Sequence, residues 1–328
     1  MPVMEYIDAI RLAMKEEMEL DEDVFVLGED VGVKGGVFTT TKGLQEQFGE
    51  ERVIDTPLAE SAIAGVAIGA AMVGMKPIAE MQYSDFMLPA TNQIISEAAK
   101  IRYRSNNDWN CPLVVRAPIG GGIFGGLYHS QCAESIFFGT PGLKIVAPYS
   151  AYDAKGLLKA AVRDPDPVLF FEHKKCYKLI KEDVPEDDYI VPIGKANVIR
   201  EGSDITVIGY SLPLHFAMQA AEELENEQGI SAHILDLRTL QPLDRDAIIE
   251  STRKTGKVLI IHEDNKTGGV GAEVAAIISE ECLFELDAPI QRLCGPDVPA
   301  MPISPPMEKF FMLNKDKVKE AMLQLALY

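Results

Sequence analysis

Glu60 stands in Val53-Ile-Asp-Thr-Pro-Leu-Ala-Glu60-Ser61, at the mouth of the uncharged stretch Ala62-Ile-Ala-Gly-Val-Ala-Ile-Gly-Ala-Ala-Met-Val-Gly74. That stretch reads as a helix buried on most sides and packed close to a neighbour. A carboxylate at its first turn is held where water is scarce. Its hydrogen bonds are strengthened there and its pKa can rise, which suits proton chemistry. A structural reading stands beside this one, because acidic residues complement the dipole at helix N-termini.

Three other segments carry residue types suited to a ligand. Gly28-Glu-Asp-Val-Gly-Val-Lys-Gly-Gly36 has four glycines that let backbone approach a ligand, or simply make a flexible loop. It is neither GxGxxG nor a P-loop. Gln82-Tyr-Ser-Asp-Phe86 offers an aromatic that can stack on a flat ring or pack as an ordinary helix residue. Ala117-Pro-Ile-Gly-Gly-Gly-Ile-Phe-Gly-Gly-Leu-Tyr-His129-Ser-Gln131 is a five-glycine loop ending in a histidine. It can place an acid–base group over a reacting atom, although loop histidines are also used structurally. His173, His215, His233 and His262 read as structural. No zincin, serine-hydrolase elbow or EF-hand pattern is present.

Each of these segments follows a strand-like run, where open α/β sheets bind ligands. The runs are Val24–Leu27, Lys76–Met81, Pro112–Arg116, Lys144–Ala147 and Pro167–Phe171. Helical patterns lie between most of them, including Thr91–Ser105 and Tyr152–Val162, and an amphipathic stretch, Met4–Leu20, precedes them. Strand and helix in alternation predict a parallel sheet covered on both faces. A charged, irregular break covers His173–Pro192 and reads as surface linker. The alternation then restarts. Strands are expected at 204–208, 232–236, 257–261 and 290–293, with a terminal helix at Lys315–Leu325. The fold class is therefore α/β with two doubly wound domains, at 1–180 and 196–328, joined by a linker at 181–195.

The chain has 328 residues and a net charge of -19, which argues against nucleic acid, since nothing would neutralise phosphates. No apolar run spans a bilayer comfortably, so no membrane association is expected. The start, Met-Pro-Val-Met-Glu, lacks a signal-peptide pattern, and a cytoplasmic or mitochondrial-matrix location is expected. Five scattered cysteines, none in a CxxC pair, read as reduced core thiols.

Taken in order, these segments resemble the β subunit of the E1 component of 2-oxo acid dehydrogenase complexes. The resemblance runs over essentially the whole chain. It is carried by Val26-Leu-Gly-Glu-Asp-Val-Gly32, Asp55-Thr-Pro-Leu-Ala-Glu-Ser61, Tyr128-His-Ser-Gln131, Pro141-Gly-Leu-Lys-Ile-Val146 and Ser150-Ala-Tyr-Asp-Ala-Lys-Gly-Leu-Leu158. It implies an N-terminal thiamine-diphosphate pyrimidine-binding domain and a transketolase-like C-terminal domain. By resemblance, Glu60 hydrogen-bonds N1′ of the aminopyrimidine and Phe86 packs against that ring. His129 falls on the histidine implicated in reductive acylation of the lipoyl group. A family potassium (K+) site maps to Leu113, Ala161, Val162, Asp164 and Asp166, and carboxylates and carbonyls suit such a cation.

The Gly-Asp-Gly motif that binds diphosphate and magnesium (Mg2+) in thiamine enzymes is absent. The resemblance thus implies half an active site, completed by an E1 α subunit in an α2β2 heterotetramer that serves a lipoyl-bearing E2 acyltransferase. Gly126–Gln131 and Arg102-Tyr-Arg104 look more like the branched-chain members than the pyruvate members. Phe124 departs from that pattern, where a histidine is expected, and this bears on which 2-oxo acid is the substrate. Pyruvate and acetoin dehydrogenase β subunits are the near alternatives. A transketolase would need the missing motif in the same chain. A non-catalytic scaffold subunit would have no use for Glu60 and His129.

Overall fold

The computed structural model describes residues 3–328. The chain forms two compact units. One comprises Met1–Ile119 with Phe137–Ile193, and the other Gly120–Ile136 with Gly194–Tyr328. The glycine-rich loop before His129 therefore belongs to the second unit, although it lies within the first half of the sequence.

In the first unit, parallel strands pair in the order Lys144–Val146, Val168–His173, Val114–Ile119, Lys76–Glu80, Val24–Gly28 and Val53–Asp55. Val24–Gly28 is buried throughout, as a strand covered on both faces should be. The chain leaves this strand for Val53–Asp55 on one side, then crosses to Lys76–Glu80 on the other. That reversal opens a crevice at the strands' carboxyl ends, where α/β sheets place ligands. The crossing helix is Glu60–Met72.

Helix Tyr6–Leu20 buries Ile7, Ile10, Met14 and Met18, one face at helical spacing. Helix Ala151–Val162 is capped by Ser150, whose Oγ accepts the Asp153 N–H at 3.0 Å. Lys155 and Lys159 on this helix are buried and share Glu16 of Tyr6–Leu20.

Three expectations differ from the structure. Thr91–Ser105 is not one helix. A 3-10 helix, Ser84–Ala90, contains Pro89 and is followed by a π-helical turn, Asn92–Glu97, a 3-10 turn, Ala98–Lys100, and a short α-helix, Ile101–Arg104. Helical periodicity does not reveal an inserted residue, which widens the turn locally. His173–Pro192 is not an exposed linker, and part of 181–195 is folded too. His173, Lys174 and Tyr177 are buried, and Lys181–Asp183 pairs antiparallel with Val3–Glu5. The charges that suggested a linker are spent on ion pairs, Lys181 with Glu5 and Asp188 with Lys159 and Arg163. Finally, helix Glu60–Met72 is not buried on most sides. Ile63, Ala64, Ala67 and Ile68 are buried, while Ala62, Gly65, Val66 and Gly69 face outward.

In the second unit the strand order is Gln291–Gly295, Val258–Asn265, Ile205–Gly209, Ala232–Asp236 and Asn197–Arg200. All pair in parallel except the last, an antiparallel edge. The proline-rich segment near the C-terminus contains a helix, Pro305–Phe311, because Pro305 and Pro306 occupy positions that need no intrahelical N–H donor.

Arg116 ties three strands of the first unit together. Its Nε and Nη2 donate to Glu172 at 2.6 and 2.8 Å, and its Nη1 donates to Glu80 at 2.7 Å. Tyr177 donates to the same Glu172 at 2.8 Å. Arg116 and Glu172 are fully buried and Glu80 nearly so. Burial works against the Arg116 charge, but Glu172 and Glu80 outweigh it and hold its pKa above the ordinary value. Arg116→Met leaves two buried carboxylates without a counter-charge. The expected loss of stability is about 3–5 kcal/mol, measured by urea denaturation. A loss under about 1 kcal/mol would mean that water reaches the cluster.

Candidate functional site

The crevice of the first unit is built from loops at the ends of three neighbouring strands. The loop after Val24–Gly28 is constructed rather than slack. Gly32 N–H donates to Asp55 Oδ1 at 2.6 Å, Gly36 N–H to Asp30 O at 2.7 Å, and Thr41 Oγ to Val31 O at 2.7 Å. A Cβ on Gly32 would fall 2.4 Å from Asp55 Oδ2, so a larger residue there would displace the carboxylate that holds the loop.

Glu60 is the first residue of its helix and is half-buried. Ser61, next to it, donates from Oγ to Pro89 O at 2.5 Å, which fixes the helix start against Ser84–Ala90. That 3-10 helix carries Phe86, so the two residues predicted at this site lie on packed neighbouring elements. Phe86 meets Tyr83 edge-to-face at 5.5 Å, and Tyr83 meets Phe38 in the same manner at 5.5 Å. These contacts orient a half-buried ring rather than consume it in the core.

Glu29 is a site residue that sequence reasoning passed over. Burial raises its pKa, and the charges of Asp30 and Glu60 raise it further. Two carboxylates, Glu29 and Glu60, therefore act on one another in this crevice. The available signal was position alone, since Glu29 directly follows the last strand residue. Among the described residues no group of His, Cys, Asp and Glu is arranged to hold a metal.

The residues mapped to potassium lie near the end of helix Ala151–Val162. Lys144 Nζ is 2.7 Å from both oxygens of Asp164, and Arg102 Nε donates to Asp166 at 2.5 Å. Both carboxylates are thus already neutralised by protein cations. Leu113 and Ala161 offer backbone carbonyls, and Val162 is buried.

His129 belongs to the second unit. It follows the 3-10 turn Gly126–Tyr128 and is half-buried. The loop before it is pinned by carboxylates. Gly121 N–H donates to Glu263 Oε1 at 2.7 Å, while Gly122 and Phe124 N–H donate to Glu308 Oε1 at 2.7 and 3.3 Å. Glu263 and Glu308 are buried. Phe124 is held at φ 57°, a left-handed conformation that costs a non-glycine residue about 1–3 kcal/mol. A Cβ on Gly125 would lie 2.7 Å from the Cβ of His129, so the loop folds directly over that histidine.

A buried polar cluster supports this loop's far end. Tyr210 O–H donates to Glu134 Oε1 at 3.1 Å and stacks on His262. His262 is driven down to about 4 by burial and is neutral, with Cys294 Sγ 3.2 Å from its Nε2. Its reading as a structural histidine agrees with this setting. Burial, helped by Asp264, pushes Glu134 up to about 8.

Comparison with known proteins joins the two units. Residues 3–179 match the transketolase pyrimidine binding domain, and residues 194–318 match the transketolase C-terminal domain. The 2-oxoisovalerate dehydrogenase subunit beta of Bacillus subtilis (strain 168) is 72% identical over 326 residues, 99% of each chain. The chain belongs to the E1 β-subunit family of 2-oxo acid dehydrogenases. Within it, a mitochondrial 2-oxoisovalerate dehydrogenase subunit beta 2 of Arabidopsis thaliana is 49% identical, covering 97% of this chain and 88% of its own. The pyruvate dehydrogenase E1 component subunit beta of Bacillus subtilis is 43% identical over 98% of both. Among solved structures, a split gene transketolase in an inactive beta4 tetramer superposes with a TM-score of 0.78 at 25% identity, covering 99% of this chain and 98% of that one. The expected family and its two transketolase-like domains are thereby borne out. Thiamine diphosphate is the cofactor that these domains fit.

Glu134 gives the second unit a pH signature. Because its folded pKa is raised above the unfolded value of 4.5, its stabilising contribution is full below that pH. It is lost as pH rises towards about 8. Glu134→Gln is expected to flatten the fall of stability across that window, measured by urea denaturation at several pH values. A variant with the wild-type slope would place the charged form of Glu134 in the fold.

Proposed function

We propose that this chain is the β subunit of a branched-chain 2-oxo acid dehydrogenase E1, active with an α subunit. The observation that carries this reading is full-length 72% identity to a 2-oxoisovalerate dehydrogenase β subunit, together with Glu60 and Phe86 on packed elements of one crevice. The reaction is oxidative decarboxylation of a branched 2-oxo acid and reductive acylation of a lipoyl group on E2. The pyruvate dehydrogenase β subunits are more distant than the 72% relative, at 43% and 46% identity, so the pyruvate alternative is not favoured.

The crevice suits an aminopyrimidine. It offers a carboxylate to ring N–H and amino groups and an aromatic side chain to a flat heterocycle. The carboxylate pair Glu29 and Glu60 is unsuited to a diphosphate, which agrees with placing the diphosphate and magnesium contacts on the α subunit. When bound, thiamine diphosphate supplies the electron sink for loss of carbon dioxide. Glu60 would hold the proton at N1′ of the aminopyrimidine, Phe86 would orient that ring, and His129 would serve proton transfer during acylation of the lipoyl group. The outward face of helix Glu60–Met72 and the exposed Val33, Leu58 and Leu88 supply apolar surface for the α subunit. A potassium ion would rely on the backbone carbonyls at Leu113, Ala161 and Val162, because Asp164 and Asp166 already have cationic partners. A cytoplasmic location fits the bacterial relative.

Glu60→Ala, co-assembled with the α subunit, is expected to lose at least a hundredfold in 2-oxoisovalerate decarboxylation with the tetramer intact. Wild-type turnover would defeat the cofactor assignment. His129→Ala is expected to slow lipoyl acylation more than decarboxylation to an artificial electron acceptor. Equal losses in the two assays would remove the division of roles between His129 and Glu60.

A further inference from the structure

We infer that Glu308 is a positioning residue for the acyl-transfer half of the reaction, acting through the backbone of the loop that presents His129. This inference rests on the function proposed above. Glu308 lies on helix Pro305–Phe311 and is 2% exposed. Its Oε1 accepts N–H groups from Gly122 and Phe124, 186 and 184 residues earlier in sequence. Its Oε2 is buried without a hydrogen-bond partner among the described residues. One oxygen thus carries both bonds, and a carboxylate is the strong acceptor that two converging N–H donors require.

The bonds span the part of the loop that needs holding. Gly122 has φ 91° and Phe124 has φ 57°, so the backbone at both bonded positions takes a positive φ, which a residue with a side chain does not favour by itself. Glycine relieves this at 122, but nothing relieves it at 124. Released from Glu308, Phe124 is expected to relax to negative φ. The change would carry through Gly125, which lies against His129 and Ser130. Glu263 holds Gly121 from a separate strand, so the loop would shift about that fixed point rather than unfold. His129 would then be offered in many orientations where the reaction needs one. Its influence on His129 runs through the loop backbone between Gly122 and Gly125.

The test uses the α2β2 enzyme with its lipoyl-bearing acceptor domain. Glu308→Ala and Glu308→Asp both release the loop, the second while keeping the charge. Glu308→Gln keeps a carbonyl oxygen at the same reach. Lipoyl acylation is expected to fall at least tenfold in the first two variants, chiefly in kcat, while decarboxylation to an artificial acceptor falls less than threefold. Glu308→Gln is expected to recover at least a third of the wild-type acylation rate. Should the alanine variant fail to assemble, the aspartate variant decides by the same criteria. Wild-type acylation in Glu308→Asp would overturn the inference. Equal loss in both assays, or a glutamine variant no better than aspartate, would also overturn it. A wild-type tetramer that neither decarboxylates 2-oxo acids nor acylates lipoyl would instead defeat the functional reading beneath it.

Discussion

The Arg116 guanidinium is the constraint on which the first unit's site depends. It is clamped between Glu172, which it meets with two bonds, and Glu80, and Tyr177 closes the cluster. Three adjacent strands are thereby tied together, among them Lys76–Glu80, whose carboxyl end borders the crevice. Two charges against one would be costly in a dry interior, and burial raises the Glu80 pKa accordingly. The arrangement persists because bidentate geometry and the tyrosine hydroxyl satisfy most of the oxygens. The glycine loop is moulded against the same cluster, since a Cβ on Gly36 would lie 2.9 Å from Glu80 Oε1. Core charge and ligand loop are parts of one construction.

The second unit solves a similar problem by another route. The large side chains of its glycine-rich loop, Phe124, Leu127 and Tyr128, are exposed, so apolar packing does little to hold it. Its N–H groups must find acceptors, and Glu263 and Glu308 reach in to supply them. Buried carboxylates thus recur in both units, fastening an arginine in the first and loop backbone in the second. The Glu134–Tyr210–His262 cluster extends the pattern, with a carboxyl group kept protonated by burial and a histidine kept neutral by it. Each such group lowers tolerance to mutation while narrowing the conformations open to a loop.

Much of this was legible from sequence because parallel strands write themselves as short apolar runs and ligands gather at their carboxyl ends. Glu60, Phe86 and His129 stood out for that reason. What was not legible depends on long-range contact. Glu80 and Glu172 read as ordinary strand-end charges until the sheet brings them 36 and 56 positions to Arg116. Glu308 lies in a proline-rich segment that reads as a loop, yet it sits on a helix and turns inward to a loop 186 residues away. The π-helical turn hides within a helical period. The charged 173–192 segment resembled a linker because its partners, Glu5, Lys159 and Arg163, lie far off in sequence. Helix Glu60–Met72 misled in the other direction. Its apolar face is real, but this chain covers only half of it, which is what a subunit shaped for a partner would show.

On the function proposed, this chain would hold one half of a thiamine diphosphate site, the half that grips the aminopyrimidine. The most direct measurement is calorimetric titration of thiamine diphosphate with magnesium into the isolated chain, into the α subunit, and into the two together. Tight binding is expected only for the mixture, and it should weaken when Glu60 is replaced by alanine. Tight binding to the isolated chain, unaffected by that replacement, would contradict the half-site.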